Sequence, residues 1–196
     1  LTDCKGVGTI THASSKTGRG VYVYSGSGTF NMYGGSITGN RATGDGGGVY
    51  KSGSNSSFNM YGGSITGNTA NSYGGGVYVD GGGFTMSGGT IGGTKTGETN
   101  TATYGGGGVY AKANFEMTGG SITGNNAAYG GGVYTVNEFK MSGGSITGNN
   151  AYKSDYISTF GGGVCVGSGI FTVSGEVTVT DNTKDGTKGA DGKFTG

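Results

Sequence analysis

Apolar residues along this chain recur in a fixed order of blocks. A Gly-Gly-Gly-Val-Tyr block or close variant places a valine at Val21, Val49, Val77, Val109, Val133 and Val164. A second block follows each one: Phe30-Asn31-Met32-Tyr33-Gly34-Gly35, then Phe58-Asn59-Met60-Tyr61, then copies starting at Phe84, Phe115 and Phe139. It weakens to Phe171-Thr172-Val173 in the last copy. A third block, Ser36-Ile37-Thr38-Gly39-Asn40, returns at Ser64, Ser121 and Ser145. Its variants are Thr90-Ile91 and Val179-Thr180-Asp181-Asn182, and Thr9-Ile10-Thr11 reads as a leading partial copy. All five methionines of the chain occupy one slot of this repeat.

Successive valines stand 28, 28, 32, 24 and 31 residues apart. Each unit carries three short segments of strand-like alternation separated by Gly-rich corners, the signature of one coil of a parallel β-helix. Helix is excluded, because each interior Gly would cost about 1 kcal/mol. Propeller blades repeat at about 40 to 45 residues with four strands, which this period does not reach. The expected fold is therefore all-β: a single-stranded right-handed parallel β-helix of about six coils, each of three short strands. At ~4.8 Å per coil the core would be a rod about 30 Å long. One coil cannot stand alone, because four apolar side chains do not offset the entropy of ordering so long a segment. Stacking must supply the rest, as in other one-dimensional arrays. The repeat domain spans 1–182; the tail 183–196 leaves the pattern and reads as a partial cap or a linker.

Alternation assigns faces to the columns. Phe and Met, two apart, point inward, which sends Asn31, Asn59, Thr85, Glu116, Lys140 and Thr172 outward, with Glu116 and Lys140 placed to pair across adjacent coils. Ile points inward between outward Ser and Thr. Asn40, Asn68, Asn125, Asn149 and Asn182 are expected to stack at a corner, amide on amide. Val inward puts Tyr22, Tyr50, Tyr78, Tyr110 and Tyr134 outward as an aromatic stripe. Lys51 argues against this placement unless its strand ends at Tyr50. Insertions at 41–45, 69–73, 94–104, 126–129 and 150–160 emerge along one edge. Tyr73, Tyr104, Tyr129 and Phe160 end four of them, either capping the edge of the core or offering a partner an aromatic surface.

Composition fits this picture. Gly supplies 51 of 196 residues, while Pro and Trp are absent. Gly reaches positive φ at corners without steric cost, and Pro would remove a ladder donor. Collagen fails for lack of Pro and of Gly at every third position. Charged residues are 12% of the chain and the net charge is +1, so no basic patch suits a nucleic-acid backbone. No apolar run is long enough to span a membrane.

Ile65-Thr66-Gly67-Asn68, then Ala70 and Gly75-Gly76-Val77-Tyr78, resembles the repeat of bacterial surface-exposed β-helix proteins, namely polymorphic outer-membrane proteins and related autotransporter-passenger and adhesin-like proteins. Their repeats pair an F-x-x-N-type segment with a G-G-A-[ILV]-type segment; here Ile replaces that Phe and Gly the Ala. The match returns at Ile37–Val49, Ile122–Val133 and Ile146–Val164, so it covers roughly residues 7 to 182. The resemblance implies a pectate-lyase-like fold, a secreted or cell-surface location and a role as adhesin or structural module. A start at Leu1 without Met, and no translocator barrel, anchor or sorting signal in the sequence, point to a segment of something larger.

Candidate chemistry is sparse. A polysaccharide lyase or glycosidase needs clustered acids, and Asp45, Asp80, Glu116, Glu138 and Asp155 fall at unrelated repeat positions. Asp181, Asp185 and Asp191 lack the spacing of a Ca²⁺ loop, so no metal or cofactor is expected. His12, beside Ser14 and Ser15, reads as a surface residue. Cys4 and Cys165 fall on the first and last coils, too far apart for an internal disulfide; a bridge between molecules is the other option. The expected function is a non-enzymatic module binding a host or matrix glycan or protein through the Tyr stripe and edge loops, with end-to-end self-association a further option. The alternatives are an ice-binding solenoid using the Ser/Thr-x-Thr ladder, and a pectin-lyase-like enzyme.

Overall fold

The computed structural model describes residues 8–12, 16–24, 26–152 and 159–184, together with the strand backbone of 187–188 and 194–195. Asp155, Cys4 and the two serines beside His12 lie outside the described residues, as do most of the tail and the centre of the last edge loop. Over the described residues the chain is all β, a parallel solenoid of about six turns. Taking the third coil, the order is Val77–Val79, Gly83–Met86, Thr90–Gly92 and Thr101–Ala102. The valine strands form a six-stranded parallel sheet running from Val21–Val23 to Val164–Val166. The Phe and Ile strands merge into one larger sheet, because two later coils run through the corner without a break, as Phe139–Thr147 and Phe171–Thr180. The register between these two shifts between Met141 and Gly143.

Equivalent residues lie directly over one another. Met32 pairs with Met60, Met60 with Met86, Met86 with Met117 and Met117 with Met141, all buried. The Phe rings from Phe30 to Phe171 stack with centroids 4.5–4.9 Å apart. Val49, Val77, Val109 and Val133 are fully buried, so valine faces the core. Aligned copies of one side chain fill each layer at high density, and this carries the hydrophobic stabilisation.

A fourth strand was not expected. Two residues of each segment read as an emerging loop are strand instead: Arg41–Ala42, Thr69–Ala70, Thr101–Ala102, Asn126–Ala127 and Asn150–Ala151. Thr183–Lys184 adds a sixth member to this sheet. The alanines point inward and are buried. The Gly runs have a steric origin. A Cβ on Gly75 would stand 2.6 Å from the carbonyl oxygens of Gly107 and Thr101 in the next coil. Gly67, with φ of +64°, turns the chain between the Ile strand and the corner Asn.

That corner holds an unbroken amide ladder. Asn40 Nδ2 donates to Asn68 Oδ1, Asn68 to Asn100, Asn100 to Asn125, Asn125 to Asn149 and Asn149 to Asn182, each at 2.9–3.0 Å. Each Nδ2 also donates to the Ile carbonyl one coil back, as in Asn100 to Ile65 at 2.7 Å. Asn100 was assigned to a loop; it takes the third rung, closing the 94–104 excursion back into register. At the leading end His12 Nδ1 lies 2.7 Å from Asn40 Oδ1. His12 is therefore half-buried at the head of the ladder, not the free surface residue expected.

Two further expectations are corrected. Lys140 pairs with Glu138 of its own coil at 3.0 Å, not with Glu116. Residues 138 and 140 lie on one side of the strand, so their side chains meet without crossing to the next rung. Lys51 does extend its strand, lying in register with Val23 and Val79, and points inward. It is fully buried, and its Nζ donates to the carbonyls of Gly53 (3.1 Å) and Gly81.

Replacing Asn100 with Ala should lower stability by about 3 kcal/mol, because the buried Asn68 N–H and the buried Asn125 Oδ1 would lose their Asn100 partner. Asn31→Ala, at the exposed outer Asn31–Asn59 pair, should change it by about 0.5 kcal/mol or less. Urea unfolding at unchanged slope measures both.

Candidate functional site

The tyrosines of the valine sheet point away from the core, because the residues on either side of each point in. Their rings form a column: Tyr50 and Tyr78 stack at 4.9 Å, Tyr78 and Tyr110 at 5.2 Å, Tyr110 and Tyr134 at 5.0 Å. Tyr22 meets Tyr50 edge to face at 5.1 Å. Cys165 takes the next place in register and is half-buried.

The column is not the open stripe expected. Tyr22 is 51% exposed, but Tyr78 is 2% and Tyr110 7% exposed, while Tyr50 and Tyr134 are half-buried. The edge segments lean over it. Tyr73 packs on Tyr110 at 4.6 Å and on Tyr104 at 5.4 Å, and Tyr129 packs near Tyr134 at 6.2 Å and on Phe160 at 5.8 Å. Tyr73 is fixed by its own N–H, which donates to Asp45 Oδ1 at 3.1 Å. These four rings thus form a second aromatic layer over the first. Within that layer Tyr104 and Phe160 remain exposed.

Charged groups brace the column. The Arg19 guanidinium lies 4.3 Å from the Tyr50 ring centre and its Nε donates to the Asp45 carbonyl at 2.9 Å. The Lys112 ammonium sits 3.0 Å from Asp80 and 5.6 Å from the Tyr78 ring centre. Tyr78 and Asp80 hold that ammonium and raise its pKa. Burial pushes the Tyr78 and Tyr110 hydroxyls up to about 12, and burial also raises the Cys165 thiol. These groups stay protonated near neutral pH.

On the Ile face the outward hydroxyls hydrogen-bond along the axis: Ser64 to Ser36 at 3.2 Å, Thr66 to Thr38 at 3.3 Å, Ser145 to Ser121 at 3.2 Å and Thr147 to Thr123 at 3.4 Å. Gly92 interrupts the Thr column between the two halves. Among the described residues no group of three or more His, Cys, Asp or Glu is placed to hold a metal ion, and no helix is long and apolar enough to cross a membrane. Sequence reading missed Tyr33 and Tyr61 as candidates. They stack at 4.8 Å with planes 8° apart, on the outward side of the Phe strands.

Lys51 makes the most unusual titratable site. Burial lowers its pKa from 10.5 to about 8, with Asp80 opposing. Between those values the unfolded chain holds the extra proton, so Lys51 contributes stability that rises with pH across that window. The unfolding free energy of the native chain relative to Lys51→Met should therefore increase from about pH 8 to pH 10, measured by denaturant melts of both proteins in matched buffers. A flat difference would show that burial does not lower the Lys51 pKa.

No protein-family model, no curated protein and no solved structure matches the chain, so what stands of the resemblance is the parallel β-solenoid itself.

Proposed function

We propose that this chain is a non-enzymatic, secreted or cell-surface solenoid module, adhesin-like or structural, that holds a glycan or protein on its outward aromatic rows. The observation that carries this reading is the second aromatic layer. Tyr104 and Phe160 are exposed rings seated on other rings, and Tyr22 ends the buried column beneath, 5.1 Å from Tyr50. Exposed rings held this firmly lose little freedom when a partner docks, which favours binding. Their flat faces and polar edges suit both sugar rings and protein surfaces. The likeness of the repeats to bacterial surface-exposed β-helix proteins supports the same reading and the location it implies.

Immobilised chain tested against a glycan array and a set of matrix proteins should show saturable binding to at least one of them. A Tyr22→Ser/Tyr104→Ser double variant that still melts cooperatively should bind about tenfold or more weakly. Binding to nothing on either panel would overturn the proposal. Thermal hysteresis by the native chain would replace it with ice binding through the Ser/Thr columns, and turnover of a polysaccharide would replace it with an enzyme.

A further inference from the structure

The outward column that begins with Tyr33 and Tyr61 stops after two rings. The register places Ser87 next, then Thr118: the N–H of Tyr61 donates to the Met32 carbonyl, that of Ser87 to Met60 and that of Thr118 to Met86. The Phe column continues ring on ring from Phe30 to Phe171 and the valine-sheet column from Tyr22 to Tyr134, whereas here a small hydroxyl residue follows after only two rings. Tyr33 is 69% and Tyr61 47% exposed, and Ser87 and Thr118 are exposed as well. The face of Tyr61 turned toward Ser87 therefore borders a slot open to solvent, and open on its far side over Thr118, where a third ring would otherwise lie.

The walls of this slot are polar and ordered. Thr85 lies beside Ser87 on the same outward side, and Asn59, one coil back, donates to Asn31 Oδ1 at 2.9 Å. Glu116 follows Thr85 in register on the next coil, and the Lys140 ammonium beyond it is taken by Glu138 at 3.0 Å. The slot thus has an aromatic floor, hydroxyl and amide sides and a negative charge nearby.

From this geometry we infer a sugar-binding subsite on the Phe-strand face, in which a neutral hexopyranose lies in the slot and stacks its apolar face on Tyr61. A pyranose is about as thick as one rung, so it takes the place of the missing ring and continues the stack. Its equatorial hydroxyls meet Thr85, Ser87 and Asn59 at the rim. The carboxylate of Glu116 disfavours uronic acids and sulfated sugars. Because one ring face carries the stacking, affinity for a monosaccharide is weak, and a longer neutral chain gains by reaching across the neighbouring hydroxyl rows. The inference rests on the glycan side of the proposed function and adds to the valine-sheet rings a second contact at Tyr61.

The test uses the full chain titrated with neutral β-1,4-linked glucose and N-acetylglucosamine hexamers, with an oligogalacturonate as the acidic comparison, followed by NMR of the tyrosine ring protons and by calorimetry. A neutral hexamer should shift the Tyr33 and Tyr61 ring signals. Tyr61→Ser should weaken binding about tenfold or more, and so should Ser87→Tyr, which fills the slot with a protein ring. Ser87→Tyr should melt no lower than the native chain, which separates a blocked slot from a damaged fold. Hexamer binding that survives both substitutions overturns the subsite; if it falls instead in the Tyr22→Ser/Tyr104→Ser variant, the module reading stands without it. Equal or tighter binding of the oligogalacturonate, or no neutral hexamer binding up to about 10 mM, also overturns the subsite. In that last case matrix-protein binding alone decides the module reading.

Discussion

Most inward side chains among the described residues lie directly over the same residue type one coil above and below. Phe packs on Phe at 4.5–4.9 Å and Met pairs with Met from rung to rung. That axial register makes the layers interchangeable, and it makes any layer unstable by itself, since a coil in isolation would leave both of its faces in water. The side chains that leave the pattern show how strict the constraint is. Lys51, standing where its neighbours carry Val, is accommodated only because two turn carbonyls lie within reach of its ammonium.

The Asn ladder does at the corner what the Phe and Met files do in the core. Each amide accepts from the coil before it and donates both to the coil after it and to an Ile carbonyl, so a bend that would expose backbone groups is closed by side chains. His12 meets the same need at the leading end, where no earlier Asn exists among the described residues. The outward surface is free of this demand and varies from coil to coil: Asn59, Thr85, Glu116 and Lys140 succeed one another in one column.

Most of the architecture was legible in the sequence, because identity at a fixed slot is a direct image of axial stacking. The five methionines, the Phe file and the inward Val all follow from alternation and recurrence. The fourth strand escaped notice because it is two residues long and its inward residue is only Ala, which carries little hydrophobic signal. Yet Asn followed two places later by Ala recurs at Asn40, Asn68, Asn100, Asn125 and Asn149, and that spacing marks both the strand and the rung at Asn100. The candidate site was less legible. Alternation shows which way Tyr110 and Tyr134 point, but whether they are covered depends on how Tyr73 and Tyr129 fold back from loops of unequal length. The salt bridge of Lys140 went to Glu138 for a related reason: spacing along a strand competes with spacing across it.

The unequal coil lengths have a consequence of their own. The excursion between Gly92 and Asn100 leaves the solenoid and returns to the same amide rung, with Ile91 before it and Ala102 after it in register with their neighbours. Extra sequence is thus tolerated at that margin without any cost to the layers on either side. A gene encoding such a chain can gain or lose a whole repeat by unequal recombination, or lengthen one loop, and still produce a protein that folds. Its reach and its outer decoration can drift under selection while the interior is inherited unchanged.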